Sequence, residues 1–244
     1  MNKEKVQYSL TVVSPALNEE ENVSAALEGM VAALNDAGID WEIILVDDGS
    51  IDKTGALAED CALREPRIKV IHHERPMGIG YSFRDGACAA AKDAVTYLPG
   101  DGENDPAEVI KYVGLLAHVD VVVPFVINKE VRSRTRQFLS KLYLAITNTS
   151  FGTNFNYTNG NVIYKRSILG ALAVRSNSFF FQTEYLLRST AAGFTFAEVP
   201  IRIRARLQGR SKALSFKSFR TLVVEFTRLF LELRIVVPLK SLFS

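Results

Sequence analysis

The first half of this chain alternates between short apolar runs and longer segments in which apolar residues recur every three or four positions. The apolar runs predict strands at residues 8–14, 41–46, 68–71, 94–98 and 119–123. The periodic segments predict helices at residues 19–37, 52–63 and 78–92, and a further helix that begins after Pro106. Strands separated by helices of this length are typical of parallel βαβ units. The pattern therefore predicts an α/β fold with a mostly parallel central sheet flanked by helices.

The regular alternation loosens after residue 123. Here we predict a helix at residues 131–150, a loop rich in Asn, Thr and Gly at 151–161, a helix at 182–192 and a strand at 195–203. The chain contains no internal repeat, no low-complexity segment and no linker that would divide it. We therefore expect a single domain over residues 1–244.

The C-terminal tail combines an apolar stripe with basic residues. Its apolar side chains recur at helical spacing, at Phe216, Phe219, Val223, Phe226, Phe230 and Leu233. Its interspersed cations are Lys217, Arg220, Arg228 and Arg234. A basic amphipathic helix of this kind is typical of proteins that bind a membrane surface. The same stripe could instead pack on the domain itself or on a second subunit, so both interpretations stay open.

Composition and charge narrow the class of protein. Of the 244 residues, 48% are hydrophobic and 23% are charged, which is typical of a globular protein. The formal net charge of +2 hides basic clusters at residues 132–136 and 202–212, which indicate a phosphate group, an anionic surface or simply a solvated face. We predict no nucleic-acid partner.

The cysteines and the hydropathy profile bear on the compartment. Cys61 and Cys88 lack the spacing of a metal site and indicate buried thiols in a reducing compartment. The sequence has no secretion signal and no uncharged apolar run of about 18 residues, so we expect no membrane span and a cytoplasmic location.

Two polar turns, each directly after an apolar strand, carry the candidate chemistry. Residues 14–20 read SPALNEE, and residues 42–50 read EIILVDDGS. Each turn alone could be a helix cap, because Asn is a favourable N-cap and Glu suits a first helical turn. In an open α/β sheet, however, ligands bind at the carboxyl ends of the strands. Two such turns at consecutive strand ends therefore favour a site for a polar ligand, which we expect to be a nucleotide.

These turns and three later segments resemble the family 2 glycosyltransferases of the GT-A fold, particularly the polyprenyl-phosphate branch that includes dolichol-phosphate mannose synthases. The matching segments follow the family order at residues 14–22, 46–54, 78–86, 182–184 and 209–212. The resemblance implies a Rossmann-like GT-A sheet and an inverting glycosyltransferase. It also divides the single domain into a nucleotide-sugar half (1–125), an acceptor half (126–212) and an amphipathic helical tail (213–244).

The resemblance assigns the donor nucleotide to the first half of the chain. Pro15, Asn18, Glu19 and Asp48 would hold the base and the ribose, since a carboxylate accepts hydrogen bonds from a base N–H or from ribose hydroxyls. Gly78 would belong to a phosphate loop, although a tight strand-to-helix turn explains this glycine equally well. A turn further on, Arg84 could approach the pyrophosphate or face solvent.

The resemblance also implies a divalent cation. Family members carry an Asp-x-Asp motif after the fourth strand, and Asp101 stands at its second acidic position, whereas Pro99 occupies the first. We expect Mg²⁺ or Mn²⁺, with Asp101 as the catalytic ligand and Glu103 as a weaker second ligand, because these ions prefer oxygen ligands. An acidic turn that caps the Pro106 helix is the alternative.

The acceptor decides which side chains the reaction needs. A sugar hydroxyl requires a carboxylate to take its proton, and Glu184 is the candidate for a catalytic base or for orienting the acceptor. A lipid phosphate is already ionised and requires cations instead. Arg204, Arg210 and Lys212 are the preferred contacts, with Arg134 as a fourth.

We therefore expect transfer from a UDP- or GDP-linked sugar to a polyprenyl phosphate by a peripheral protein on the inner face of the membrane, which could form a homodimer. Two alternatives stay open. One is a transferase of the same fold that acts on a saccharide hydroxyl. The other is a non-catalytic sugar-nucleotide-binding subunit, which the loss of one carboxylate at Pro99 would permit.

Overall fold

A computed structural model describes residues 8–100, 104–128, 130, 134–203 and 216–236, with backbone only at 216–219 and 236. Its centre is one seven-stranded sheet with the strand order β3-β2-β1-β4-β6-β5-β7. The strands are β1 (Leu10–Ala16), β2 (Trp41–Asp47), β3 (Ile68–His72), β4 (Ala94–Tyr97), β5 (Val121–Val126), β6 (Ile163–Lys165) and β7 (Phe196–Ile201).

Helices cover both faces of this sheet. They are α1 (Val23–Asp36), α2 (Thr54–Arg64), α3 (Ile79–Ala89), α4 (Pro106–Ile110), α5 (Arg134–Phe151), α6 (Arg166–Leu169), α7 (Phe181–Ala191) and α8 (Phe216–Leu231). A short 3₁₀ helix spans Val113–Ala117, and a π-helical turn, Glu232–Val236, follows α8. The α/β fold with a mostly parallel sheet, predicted from the apolar pattern, is confirmed.

Strand directions determine where the site forms. Strands β1, β2, β3 and β4 pair in parallel, as do β5 and β7. The short strand β6 lies antiparallel to both β4 and β5, so β5 runs in the same direction as β4. The chain therefore leaves β1, β2, β3, β4, β5 and β7 at the same edge of the sheet. We call this edge the carboxyl edge.

The two faces of the sheet carry different cores. The first core, under α1, α2 and α4, is mainly aliphatic, with Leu27, Met30 and Leu34 of α1 packed on Ile43 and Leu45 of β2. The second core, under α3, α7 and α8, is rich in aromatic side chains. These are Phe83, Tyr97, Phe151, Phe155, Tyr164, Phe180, Phe181 and Tyr185.

The tail helix α8 packs on the second core. Leu229 is buried there, and the rings of Phe226 and Phe230 lie 5.3 Å and 5.9 Å from the ring of Phe151. Other apolar side chains of α8 remain exposed, including Val224 at 61%. One face of this helix therefore contacts the domain. Among the described residues, no helix has both the length and the apolarity that a membrane crossing requires.

Strand β7 forms one outer edge of the sheet. The carbonyl oxygens of Thr195 and Ile201 accept hydrogen bonds from β5 and the residue after it, so alternate residues such as Pro200 face away from β5. Pro200 has no N–H group, and its carbonyl oxygen accepts a 2.7 Å hydrogen bond from the Tyr112 hydroxyl.

Candidate active site

Two loops at the carboxyl edge are held together by reciprocal hydrogen bonds. The Asn18 N–H donates to Ser50 Oγ at 3.0 Å, and the Ile51 N–H donates to Asn18 Oδ1 at 3.0 Å. The Glu19 N–H donates to Thr54 Oγ1 at 2.8 Å. Asn18 has a φ of 53°, a left-handed conformation that Asn tolerates better than most residues. The loops after β1 and β2 thus form one structural unit.

A second reciprocal pair extends this unit. The Glu20 N–H donates to Asp52 Oδ2 at 3.2 Å, and the Lys53 N–H donates to Glu20 Oε2 at 3.1 Å. Burial opposes the ionisation of Asp52, but hydrogen bonds from Thr54 and from the Glu20 N–H outweigh it and lower its pKa. The Glu19 carboxylate accepts a bond from Asn22 and lies partly exposed at the same edge, next to the buried Pro15 of β1.

Asp48 closes the next loop onto the same edge. Its carboxylate accepts hydrogen bonds from the Met77 N–H at 2.8 Å and from the Gly78 N–H at 2.9 Å. His73 Nδ1 lies 2.7 Å from Asp48 Oδ1, and His73 Nε2 lies 3.2 Å from Asp85 Oδ2. Asp48 is only 4% exposed. In this structure its carboxylate therefore orders residues 73–78.

His72 forms a parallel arrangement one residue earlier. Its ring nitrogens lie 3.1 Å from Asp47 Oδ2 and 3.0 Å from Glu59 Oε1. The hydrogen bond to Glu59 raises the pKa of His72, burial opposes this shift, and Asp47 adds to it. The sequence does not indicate that His72 pairs with Glu59 or His73 with Asp85, because each carboxylate lies more than ten residues away from its histidine, on α2 and α3.

The glycine turn (residues 76–80) lies against a segment from the second half of the chain. Gly78 has a φ of 98°, and a Cβ atom there would lie 2.5 Å from the Asn177 carbonyl oxygen. The Gly80 N–H donates to the same oxygen at 3.0 Å. Arg84 donates to the Ser176 carbonyl oxygen at 2.6 Å and to Asn177 Oδ1. Arg84 is therefore engaged by protein groups rather than facing solvent alone.

Glu184 lies away from solvent, with no exposed surface. Its carboxylate accepts hydrogen bonds from the Arg175 and Ser176 N–H groups, the latter at 2.8 Å. Arg188 Nε donates to Glu184 Oε1 at 2.9 Å. This environment gives Glu184 a structural connection to the segment before α7 and no exposure toward an acceptor.

The Asn-rich loop, which leads from α5 to β6, is joined to α7 by hydrogen bonds. Asn159 Oδ1 accepts a 3.0 Å hydrogen bond from the Thr183 hydroxyl, and Thr183 Oγ1 accepts one from the Tyr143 hydroxyl at 2.8 Å. Burial raises the pKa of Tyr143 to about 12, so this phenol stays protonated near neutral pH. Asn156 binds the Glu198 carboxylate of β7 through its N–H and side-chain amide.

The remaining predicted residues fall into two groups. Arg134 is exposed at the start of α5, in the connection that leaves β5 at the carboxyl edge. Asp101, Glu103, Arg204, Arg210 and Lys212 lie outside the described residues. Within residues 8–100 and the other described ranges, no group of three His, Cys, Asp or Glu side chains could hold a metal ion.

The described geometry thus gathers three loops at one edge of the sheet, after β1, β2 and β3. Pro15, Asn18, Glu19, Asp48 and Gly78 all lie on these loops or at the strand ends beside them. Backbone N–H groups, carboxylates and a glycine turn meet there, and such groups can hold the hydroxyls and phosphates of a nucleotide. The structure therefore brings together the residues that the sequence assigns to the donor.

Comparisons with known proteins agree with this geometry. The model of the family "Glycosyl transferase family 2" matches residues 11–172. The chain is 30% identical over 214 residues to a polyprenol monophosphomannose synthase of Mycolicibacterium smegmatis, which covers 82% of this chain and 79% of the relative. It is 26% identical over 217 residues to an undecaprenyl-phosphate mannosyltransferase of Micrococcus luteus, which covers 83% of this chain and 86% of the relative.

A longer relative and a solved structure complete the comparison. An undecaprenyl-phosphate 4-deoxy-4-formamido-L-arabinose transferase of Pectobacterium carotovorum is 32% identical over 166 residues, and the match spans about half (51%) of its length and 67% of this chain. The glucosyl-3-phosphoglycerate synthase of Mycobacterium tuberculosis, solved with Mn²⁺, uridine diphosphate and phosphoglyceric acid, superposes with a TM-score of 0.72 at 21% identity. That match covers 93% of this chain and 80% of the other, and it shows a shared fold.

Proposed function

This chain belongs to glycosyl transferase family 2, and on that basis we propose that it transfers a sugar from a UDP- or GDP-linked donor to a polyprenyl phosphate. The relatives from Mycolicibacterium and Micrococcus, a polyprenol monophosphomannose synthase and an undecaprenyl-phosphate mannosyltransferase, support this acceptor class. The proposal rests on one observation above others. The side chain best suited to be a base for a hydroxyl acceptor, Glu184, is buried and paired with Arg188.

The donor occupies the loops at the carboxyl edge in this proposal. Pro15, Asn18 and Glu19 hold the base and the ribose, and the glycine turn with Gly78 approaches the phosphates. Asp48 reaches the ribose only if it exchanges one of its bonds to the Met77 and Gly78 N–H groups. The hydrogen bonds between the loops after β1, β2 and β3 support this role, because they fix the positions of these groups before a ligand binds. Arg84 reaches the diphosphate only if it exchanges one of its two bonds to residues 176 and 177.

The acceptor phosphate is held by Arg134, Arg204, Arg210 and Lys212 in this proposal. The chain leaves β5 and β7 at the carboxyl edge, and these strands lead toward those cations in the sequence. A phosphate oxygen of the acceptor forms the new bond to the anomeric carbon. The bond from that carbon to the nucleoside diphosphate breaks, and the diphosphate leaves with the electron pair. No proton needs to be removed from an ionised phosphate, so a buried Glu184 is compatible with the reaction.

In this proposal Asp101 and Glu103 would hold a divalent metal ion. The carboxylates of Asp47 and Asp48 are already engaged by His72 and His73. Asp101 and Glu103 follow β4 in the sequence and offer the oxygen ligands that Mg²⁺ and Mn²⁺ prefer. When bound, the ion would neutralise charge that develops on the departing diphosphate. The solved synthase from Mycobacterium tuberculosis holds Mn²⁺ together with uridine diphosphate.

The wider organisation follows the same proposal. Residues 1–125 form the donor half, 126–212 the acceptor half and 213–244 a helical tail of one domain. The exposed apolar side chains of α8, such as Val224, would contact the cytoplasmic face of the membrane or a second copy in a homodimer.

Calorimetric titration of UDP and GDP, each with and without Mn²⁺, tests the donor site. We expect one nucleotide to bind in a metal-dependent manner, and Asp101→Ala to abolish that dependence. Asp36→Ala, which removes an exposed carboxylate at the end of α1, is the matched control and should bind as wild type does. Tight nucleotide binding whose affinity changes neither with Mn²⁺ nor with Asp101→Ala would contradict the metal assignment.

Transfer of labelled sugar to a polyprenyl phosphate, measured beside a saccharide acceptor, tests the reaction. We expect product with the lipid phosphate only. Product with the saccharide alone would overturn the acceptor class. Nucleotide binding without any product across acceptors would instead identify a non-catalytic binding subunit.

A further inference from the structure

The bridging segment (residues 174–178) lies between α6 and α7 and contacts the glycine turn. Its outward carbonyl oxygens, at Ser176 and Asn177, accept hydrogen bonds from Arg84 and from the Gly80 N–H. A Cβ atom on Gly78 would also meet the Asn177 carbonyl oxygen at 2.5 Å. The position of the bridging segment therefore determines the position of the glycine turn.

Two buried carboxylates hold the opposite side of the bridging segment. Glu184 of α7 accepts the N–H groups of Arg175 and Ser176. Glu225 of α8 accepts the hydroxyl groups of Ser176, at 2.9 Å, and of Ser178. Glu225 is buried, although it lies on a helix whose other side is exposed. The bridging segment is thus hydrogen-bonded to α8 on one side and to the glycine turn and Arg84 on the other.

Each serine hydroxyl both accepts and donates a hydrogen bond in this arrangement. Ser176 Oγ already accepts a bond from the Ser178 N–H at 3.2 Å, and Ser178 Oγ accepts one from the Phe180 N–H at 3.1 Å. Each hydroxyl therefore directs its own proton to Glu225, which as a carboxylate can only accept. Bonds to a charged acceptor are stronger than neutral ones, so Glu225 orders both serines at once.

An ion pair fixes α8 in the register that this arrangement needs. The guanidinium of Arg188 donates to Glu232 through both terminal nitrogens, at 3.1 Å and 2.8 Å, while its Nε binds Glu184. The same arginine thus connects the π-helical turn that follows α8 to the carboxylate that holds Arg175 and Ser176.

We propose that Glu225 is a positioning residue for the donor, acting through the bridging segment on Arg84 and the glycine turn. The inference rests on the proposed function, because it assumes that a nucleotide-sugar binds at this turn. Docking of α8 is then part of donor recognition through the bridging segment.

Hydrogen exchange and nucleotide binding, measured on the same full-length variants, test this inference. Glu225→Ala removes the carboxylate that accepts from Ser176 and Ser178, and Ser178→Ala removes one of these two hydroxyl donors. Thr227→Ala is the matched control, because Thr227 is exposed on α8 and its hydroxyl donates to the Val223 carbonyl oxygen of its own helix. Glu225→Gln keeps the shape and one acceptor oxygen, and it should rescue most of the loss.

We expect amide exchange at residues 175–178 and at Gly80 to accelerate at least about tenfold in Glu225→Ala and Ser178→Ala, as follows from the loss of bonds to a charged group. The KM for the nucleotide-sugar should rise by about tenfold, with the KM for the acceptor unchanged. The double variant should lose little more than Glu225→Ala alone, because that substitution already removes the bond from Ser178, whereas Ser178→Ala leaves the bond from Ser176 to Glu225 in place.

Three results separate the outcomes. Accelerated exchange with an unchanged donor KM would overturn the coupling, and unchanged exchange would overturn the role of Glu225 itself. If wild type binds neither UDP nor GDP, the proposed function fails, and the exchange of Gly80 alone decides whether Glu225 positions the glycine turn.

Discussion

The two faces of the sheet are built in different ways. The first core is formed by α1, α2 and α4, which come from the first half of the chain, and its side chains are mostly aliphatic. The second core joins α3 of the first half to α7 and α8 of the second half, and it combines aromatic rings with the buried charges of Glu184, Arg188 and Glu225. Aliphatic packing is tolerant of small shifts, whereas ring geometry and buried ion pairs require defined positions. The second face therefore carries the connection between the donor loops and the rest of the domain.

The largest expected effect comes from removing a ring at the centre of the second core. Phe83 of α3 lies 5.2 Å from the Phe181 ring and 5.3 Å from the Tyr185 ring. Phe83→Ala should lower the free energy of unfolding by about 4 kcal/mol, measured by urea denaturation. A double-mutant cycle with Tyr185→Ala should give a coupling of about 1 kcal/mol.

Leu27→Ala, on the opposite face, provides the control for that cycle. Its effect should add to that of Phe83→Ala, because the sheet separates the two side chains. Additivity of Phe83 with Tyr185 would contradict the idea that α3 and α7 are joined through their rings.

A smaller effect is expected from Arg188→Ala, which breaks the buried ion pair of the second face. Glu184 would remain wholly buried without its close cation, and the cost should be about 3 kcal/mol of unfolding free energy. Arg64→Ala is the control, since its ion pair with Glu28 spans 3.7 Å between side chains that are each 65% exposed. That change should cost less than about 0.5 kcal/mol. Equal losses for the two arginines would contradict the difference between the faces.

Two helical glycines should respond with opposite signs. Gly29 of α1 is exposed and a Cβ atom there would meet no other atom within 4 Å, so Gly29→Ala should stabilise the fold by about 0.5–1 kcal/mol. Gly86 of α3 lies under the sheet, where a Cβ would be 2.5 Å from Val13 Cγ1, and Gly86→Ala should destabilise by about 1–2 kcal/mol. Thermal unfolding of both variants checks this, and a shift of the same sign in both would refute the packing argument.

The smallest effect concerns pH and the half-exposed His72, which joins β3 to Glu59 of α2. Its pKa is raised above the ordinary value of about 6.5, chiefly by the hydrogen bond to Glu59. A protonated His72 therefore stabilises the fold fully below about pH 6.5, and this contribution is lost as the pH rises through the raised pKa. Urea midpoints between pH 6 and pH 9 should fall in wild type and fall less in His72→Gln. An identical fall in both proteins would assign the dependence to other groups.

The sequence predicted most of the sheet but not its one reversed strand. β1, β2 and β4 are apolar runs with a helix between them, so their periodicity identifies them. β6 spans only Ile163–Lys165, and its antiparallel pairing with β4 and β5 depends on contacts far away in the chain. Three residues are too few for a periodic signal.

The candidate site shows the same division. Asn18 and Asp48 could be predicted because they follow apolar strands directly, and strand ends meet at one edge in a parallel sheet. The carbonyl contacts of Arg84 and the backbone N–H groups that bind Glu184 could not, because they join helices to the bridging segment. The ion pair of Glu184 with Arg188 lies within α7 at i,i+4 spacing, which a helical pattern can indicate. Burial decides the chemistry of these two side chains, and burial follows from packing rather than from local sequence.

The outer edge at β7 bears on how copies of this chain can associate. A free sheet edge normally offers alternating N–H and carbonyl groups to which a strand of another molecule can add. At Pro200 the donor is missing, and the Tyr112 hydroxyl already occupies the acceptor. Strand addition at this edge would have to break that bond and leave a gap in its hydrogen-bond ladder. The domain is thereby protected against edge-to-edge association at β7.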